Sequence, residues 1–158
     1  MDRLTPAKRS WLMSRVRSVD TKPELAVRRI IHGLGFRFRL HRRDLPGCPD
    51  LVLPRYRAVV FVHGCFWHRH PGCRMATKPK SNTVFWTRKF RMNVARDKRA
   101  KVELELAGWN VLTVWECETR NAARIIEVVK KFLKTVKVRR KANRKNAAVA
   151  SKSSRKPR

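Results

Sequence analysis

Acidic residues are what this sequence has least of. Only 11 of its 158 residues are Asp or Glu, against 40 Lys and Arg, which leaves a formal charge of +29. A chain so short of negative charge points to a polyanionic partner, and nucleic acid is the default. Long apolar runs are missing as well. None approaches the roughly 18 residues a membrane span requires, so no membrane partner is expected. The first twenty residues are charged throughout and hold no apolar stretch of the secretory kind, which sets the expectation of an intracellular protein. Cysteine is sparse too. Four thiols in a reducing compartment suit metal ligation, or no role at all, better than disulfides. No internal repeat divides the chain. With 42% apolar residues it is long enough for one domain with a real core.

What is present falls into a clear order. Leu4, Trp11, Leu12, Met13 and Val16 lie among basic residues, so residues 1–20 read as a short amphipathic segment, suited to a phosphate backbone or to packing on the domain. Thr21-Lys22-Pro23-Glu24 is a helix start: Thr21 can cap, Glu24 can reach back to it, and Pro23 suits the first turn. Leu25, Ile30, Ile31 and Leu34 form the apolar face, and Gly33 and Gly35 end the helix. Residues 36–40 alternate as a half-buried strand with a basic outer face. Cys48, beside a proline, is structural or incidental. Residues 50–53 and 58–62 are apolar runs joined by Pro54-Arg55-Tyr56, and read as neighbouring strands. A lysine-rich loop covers 74–82. A long helix over 83–107 carries Asn93 and Asp97 one turn apart. Residues 109–115 form a continuous apolar strand, fit for the middle of a sheet, and 121–135 a last helix with Ile125, Ile126, Val129 and Phe132 inward. The end of the chain has no acidic residue and no periodicity, which predicts a disordered basic tail. The expected division is a basic segment over 1–20 suited to contact with DNA, a folded domain over 21–135 and the tail over 136–158.

The stretch that organises the rest is 50–73. Within the eleven residues from His63 to Cys73 stand three histidines, two cysteines and the adjacent pair Phe66-Trp67. A packed core seldom uses that mixture, because each buried imidazole or thiolate needs its own partner. Cys65-x4-His70-x2-Cys73, with the distant Cys117, supplies four ligands of the kind a closed structural zinc site prefers. His68 competes with His70 for the same place, so one of the two is left for chemistry. Asp50, at the head of one strand, and the histidines, at the tail of the next, converge if the strands are adjacent.

The Pro49-Asp50 pair leading into one strand, with a second strand ending about a dozen residues later, has the outline of the PD-(D/E)xK nucleases. Where their second acid and lysine stand, this chain has Phe61-Val62-His63. The stretches PELAVRR, FRLHRRDLPGCPDLVLP, VFVHGCFWHRHPGC, FW, NVARD and GWNVLTVWECE together resemble the very-short-patch mismatch repair DNA endonucleases. They do so in unbroken order over about residues 5–135.

That resemblance implies a restriction-endonuclease-like fold: a mixed central sheet of 36–40, 50–53, 58–62 and 109–115, flanked by helices. It implies an enzyme that nicks beside the thymine of a T:G mismatch left by 5-methylcytosine deamination, starting repair. Asp50 and the backbone carbonyl of Val62 would hold magnesium, and Glu24 would touch the metal through water. His68 would be the general base, held by Asp97, and His63 would contact the scissile phosphate. Cys65, His70, Cys73 and Cys117 would bind the structural zinc, although the His70–Cys73 stretch is one residue longer than the family's run. Phe66, Trp67 and Trp86 would wedge into the DNA from the major groove, with Met13 entering from the opposite side. The partners implied are double-stranded DNA with a T:G mismatch, a cytosine-5 DNA methyltransferase and downstream mismatch repair proteins. The setting implied is the prokaryotic cytoplasm at the nucleoid, and the state a monomer. Two rival readings remain: a zinc-stabilised, non-catalytic nucleic-acid-binding protein, and a nuclease of the same fold without mismatch preference.

Overall fold

The computed structural model describes residues 19–136, together with Thr5, Lys8, Trp11 and Arg15. Met13, most of the segment 1–20 and residues 137–158 lie outside the described residues, and with them what was expected of the N-terminal segment and the tail.

Helix α1 (Lys22–Gly33) starts on its own cap: the Thr21 hydroxyl oxygen accepts from the Glu24 N–H at 3.4 Å. The Glu24 carboxylate in turn accepts from the Thr21 hydroxyl at 2.8 Å and the Asp20 N–H at 3.0 Å. Two backbone donors at the helix start are thus satisfied reciprocally. At the other end Gly35, at φ +82°, allows its N–H to reach the His32 carbonyl and the Phe36 N–H to reach that of Ile31. The buried row is Glu24, Val27 and Ile31. Leu25, expected on that face, is one position off the row and exposed.

The same helix end explains why the first strand is short. Phe36 gives its N–H to the helix terminus, so the ladder reaches only β1 (Arg39–Leu40) of the expected 36–40. The alternation itself persists, with Phe36 and Phe38 packed on the core and Arg37 and Arg39 outside. Strands β2 (Leu51–Leu53) and β3 (Ala58–His63) are antiparallel and joined through a 3-10 turn over Pro54–Tyr56. Helix α2 (Thr83–Leu106) follows, and then β4 (Asn110–Trp115), parallel to β3. A 3-10 turn over Glu116–Arg120 leads to helix α3 over residues 122–136. The sheet order is β1-β2-β3-β4.

β4 is therefore an edge strand among the described residues, not the middle strand its apolar run suggests. The run is continuous because helices cover both faces of the sheet. On one face Leu51, Leu53, Ala58, Val60 and Val114 pack with Val27 and Ile31 of α1 and Ile125, Val129 and Leu133 of α3. On the other, Val52, Val59 and Phe61 pack with Leu104 of α2. Each large apolar side chain contributes about 1.5–3 kcal/mol on leaving water, so β2, and β3 as far as Val62, are apolar at every position. α2 lies along the sheet through Trp86, Phe90, Asn93, Ala100 and Leu104, a four-three spacing that keeps one stripe inward. Phe85, Val102 and Leu106 fall off that stripe and are exposed. Arg57 tethers the end of α2, its guanidinium donating to the carbonyls of Ala107 at 2.7 Å and Gly108 at 3.3 Å. No helix among the described residues is long and apolar enough to cross a membrane.

Candidate active site and metal centre

Strand register decides what meets at this end of the sheet. β3 and β4 run parallel with His63 opposite Trp115, so their C-terminal loops leave side by side. Cys65 and Cys117 each lie two residues beyond that pair. β2 runs the other way, with Leu51 opposite Val60, which sets Asp50 level with the end of β3. Its Oδ2 accepts a hydrogen bond from the Val62 N–H at 2.7 Å. Side chains alternate along β3: Val62 packs toward the α1 and α3 core, while His63 lies beside Phe61 on the α2 side. The expected catalytic residues accordingly gather in two groups, one on each side of the end of β3.

On the α1 side are Asp50 and Glu24, with two residues the sequence reading passed over, Arg28 and His41. The Glu24 side chain is 4% exposed and its Oε2 takes a hydrogen bond from Arg28 Nη2 at 3.1 Å. Burial pushes the Asp50 carboxyl up to about 6, and the charge of Glu24 adds to this, while the Val62 N–H, His41 and Arg28 pull it back. A carboxylate that burial penalises, next to a second one, is a place where a cation is stabilised.

On the α2 side are His63, His68 and Asp97. Asp97 reaches the site because it continues the inward stripe of α2 between Asn93 and Ala100. Its Oδ2 lies 2.5 Å from His68 Nδ1. A carboxylate only accepts, so Nδ1 carries the proton and Nε2 keeps a free lone pair. Burial works to raise the Asp97 carboxyl, but the His68 bond and charge, with His63 and Arg96, outweigh it and hold Asp97 below the usual range. The rings of His63 and His68 stack at 4.0 Å, 9° from parallel. Burial, with the charge of His68, pushes the His63 imidazole down to about 4, so it stays neutral near pH 7. Asn93, noticed in the sequence only for its spacing from Asp97, is buried and donates from Nδ2 to the Trp67 carbonyl at 3.0 Å. It ties the His63–Cys73 loop to α2.

The loop beyond Gly64 closes a candidate metal site. Ligand atoms of Cys65, His70, Cys73 and Cys117 all lie within 4.8 Å of one another. His70 Nδ1 is 3.6 Å from Cys65 Sγ and 3.4 Å from Cys117 Sγ. Tetrahedral zinc, with Zn–S of about 2.3 Å and Zn–N of about 2.0–2.1 Å, requires an S···N separation of about 3.6 Å. The donor set fits zinc in chemistry and in spacing. Burial pushes a bare Cys65 thiol up to about 12, so its thiolate needs a cation beside it. His70 also stacks on Trp115 at 4.2 Å, and Cys65 donates its N–H to Glu116 Oε2 at 3.1 Å. Where the sequence left His68 and His70 as rivals, the geometry puts His70 with the cysteines and His68 with Asp97. Cys48 is exposed and apart from both groups.

Phe66 and Trp67 are half-buried at the rim, edge to face at 5.1 Å. Trp86 is only 9% exposed, held by Phe66 at 5.5 Å and Phe90 at 5.6 Å. Of the three expected wedge residues it is the most buried, and its neighbour Phe85, edge-on to it at 5.4 Å, is exposed. Arg69 lies over Phe90 at 4.4 Å and binds the Ala76 and Thr77 carbonyls, closing the loop beneath the cluster.

Residues 1–74 match the family model described as DNA mismatch endonuclease Vsr. The chain is 55% identical over 117 residues to the type II nicking enzyme V.XorIIP of Xanthomonas oryzae pv. oryzae, covering 74% of this chain and 85% of that protein. It is 40% identical over 121 residues to the DNA mismatch endonuclease Vsr of Escherichia coli K12, covering 77% of each. Among solved structures, the catalytic domain of the homing endonuclease I-Bth0305I superposes with a TM-score of 0.53 at 21% identity, over 74% of this chain and 98% of that domain. The mixed sheet flanked by helices is thus a nuclease fold.

Proposed function

Because the chain belongs to the family of the DNA mismatch endonuclease Vsr, and is thereby a DNA endonuclease, we propose that it is a magnesium-dependent nicking enzyme specific for T:G mismatches. It cuts one strand beside the mispaired thymine and so starts very-short-patch repair. The observation that carries this reading is the His68–Asp97 pair standing at the end of the strand whose Val62 N–H binds Asp50.

Asp50 and the Val62 backbone are the groups that would hold magnesium, with Glu24 reaching it through water. Bound there, magnesium supplies the positive charge that offsets the oxygens of the pentavalent transition state. His68 takes the proton of the attacking water on Nε2. Asp97 keeps the imidazole in the tautomer that leaves Nε2 free, and favours the imidazolium that forms. Neutral His63, stacked on His68, offers an N–H to the scissile phosphate and adds no charge that would compete for the proton. Zinc held by Cys65, His70, Cys73 and Cys117 is structural, since four protein ligands leave no open position.

Discrimination falls to the aromatics. A mismatch is cheaper to unstack than a paired step, so a wedge of Phe66 and Trp67 selects it, with Trp86 behind them and Met13 from the opposite groove. Residues 1–20 and the basic tail add contacts to the phosphate backbone on either side of the nuclease domain. The enzyme works as a monomer in the prokaryotic cytoplasm, beside a cytosine-5 DNA methyltransferase and ahead of downstream repair proteins.

A nicking assay tests this on end-labelled duplexes that differ only at one T:G or C:G pair, with magnesium or chelator and Asp50→Ala as control. One magnesium-dependent nick at the mismatched thymine, lost in the variant, is the expected result. Equal cutting of both duplexes would leave a nuclease without mismatch preference. Tight binding with no cutting in several sequence contexts would leave a binding protein.

A further inference from the structure

Among the described residues Arg28 is the largely buried cation whose charge acts on Asp50, and neither the family resemblance nor the chemistry above gives it a role. It lies one helical turn after Glu24, and its side chain is 11% exposed. Nη1 is 2.5 Å from Asp20 Oδ1, and Nη2 is 3.1 Å from Glu24 Oε2 and 2.7 Å from His41 Nε2. A guanidinium only donates, so His41 accepts on Nε2 and is the neutral tautomer protonated on Nδ1. Ligand atoms of Asp20, Glu24 and His41 fall within 4.8 Å of one another, the spacing of a cation site. Arg28 contacts all three, so the cation of that group is the guanidinium. Its Nε is buried with no hydrogen-bond partner. A side chain placed for hydrogen bonding alone would not leave a donor orphaned there; one placed to neutralise two carboxylates can. Glu24 and Arg28 are both near enough to Asp50 for their charges to act on it.

We propose that Arg28 is the resident counter-cation of the Asp50 site: a positioning residue that holds Glu24 beside Asp50 and sets how tightly a divalent cation binds there. The inference rests on the reading of Asp50 as the metal-holding carboxylate. A buried Glu24 with no counter-charge would repel the Asp50 carboxylate, and the pair would part or take up a proton. With Arg28 present both stay in place, at the expense of divalent affinity. Magnesium then binds firmly only where another anion, the DNA phosphate, joins the site.

The test compares Arg28→Met, which keeps the stem and loses the charge, with Arg28→Lys, which keeps the charge and loses the fork. Mn2+ binding to the full-length protein without DNA is followed by the signal of free Mn2+, with Asp50→Ala as the reference for the site. The magnesium midpoint of nicking is read beside it. A full unit charge within several ångströms of a divalent ion at the rim of a protein is worth about tenfold in affinity. Arg28→Met should therefore bind Mn2+ about tenfold more tightly and lower the magnesium midpoint, with a reduced maximal rate, while Arg28→Lys stays within about twofold of the parent. Arg28→Gln, able to hydrogen-bond Glu24, replaces Arg28→Met if the latter does not unfold cooperatively. Unchanged or weaker Mn2+ binding in a folded neutral variant overturns the inference and leaves Asp50 as the metal site. Equal shifts in the Met and Lys variants overturn it as well, since packing would then be the cause. If neither the parent nor a folded neutral variant shows Asp50-dependent Mn2+ binding, the reading of Asp50 falls and the inference with it.

Discussion

At His68 one hydrogen bond decides which ring nitrogen carries the proton. Asp97 can only accept, so Nδ1 holds the proton and Nε2 is free. Asp97→Asn keeps the size of the side chain but offers an amide donor, which favours the tautomer with the proton on Nε2. That imidazole cannot take a proton from water. Nicking of a T:G duplex under single-turnover conditions should fall by about 10²–10⁴-fold, with DNA affinity kept. A loss of only a few-fold would remove His68 from the role of base. His68→Ala should fall to the same level, because the pair acts as one unit. The pairing of these two residues was implied by the family resemblance, and their spacing in the sequence alone does not give it. Asp97 comes from a helix 29 positions away, and only the inward stripe of α2 shows that it faces the loop. Arg28 escaped notice for a simpler reason. A basic residue in a chain with 40 of them carries no signal until burial singles it out.

At the scale of elements, α2 is the part on which the α2 side of the site depends. Leu104 anchors it, fully buried against Val52, Val59 and Phe61. Leu104→Ala should cost about 2–5 kcal/mol in denaturant unfolding, as large-to-small changes in well-packed cores do. A cost below about 1 kcal/mol would mean that α2 is held elsewhere. The loop of the candidate metal site is the second such part, and of residues 63–73 only Cys65 is buried. Cys73→Ser should lower the thermal unfolding midpoint, and a strong chelator should bring the parent protein down to the same value. A midpoint that neither change moves would rule out a zinc staple. Element types were readable from period and caps, as at Thr21 and Gly35. Strand neighbours were less so. The run over 109–115 reads as central, yet β4 is an edge, because continuous apolarity reports that both faces are covered and says nothing of pairing on both edges. The expected strand over 36–40 shortened because a helix end claimed the Phe36 N–H first.

For the molecule as a whole, the formal charge of +29 sets how it meets DNA before any mismatch is felt. Each phosphate neutralised releases counterions, so affinity falls steeply with salt and carries no sequence information. In the proposed mechanism the wedge residues and the two groups at the end of β3 would act on one base step, through contacts that salt screens little. Affinity and specificity therefore reside in different parts of the chain. Removal of residues 137–158, basic throughout and without an acid, should weaken binding to T:G and C:G duplexes by the same factor. It should also make the dependence of log K on log salt less steep. The measurement is a salt series of binding constants on both duplexes, with and without the tail. A ratio of T:G to C:G affinity that holds across the series places specificity in the folded domain. A ratio that collapses when the tail is removed would mean that the tail reads the mismatch itself, and would move the search for recognition away from Phe66 and Trp67.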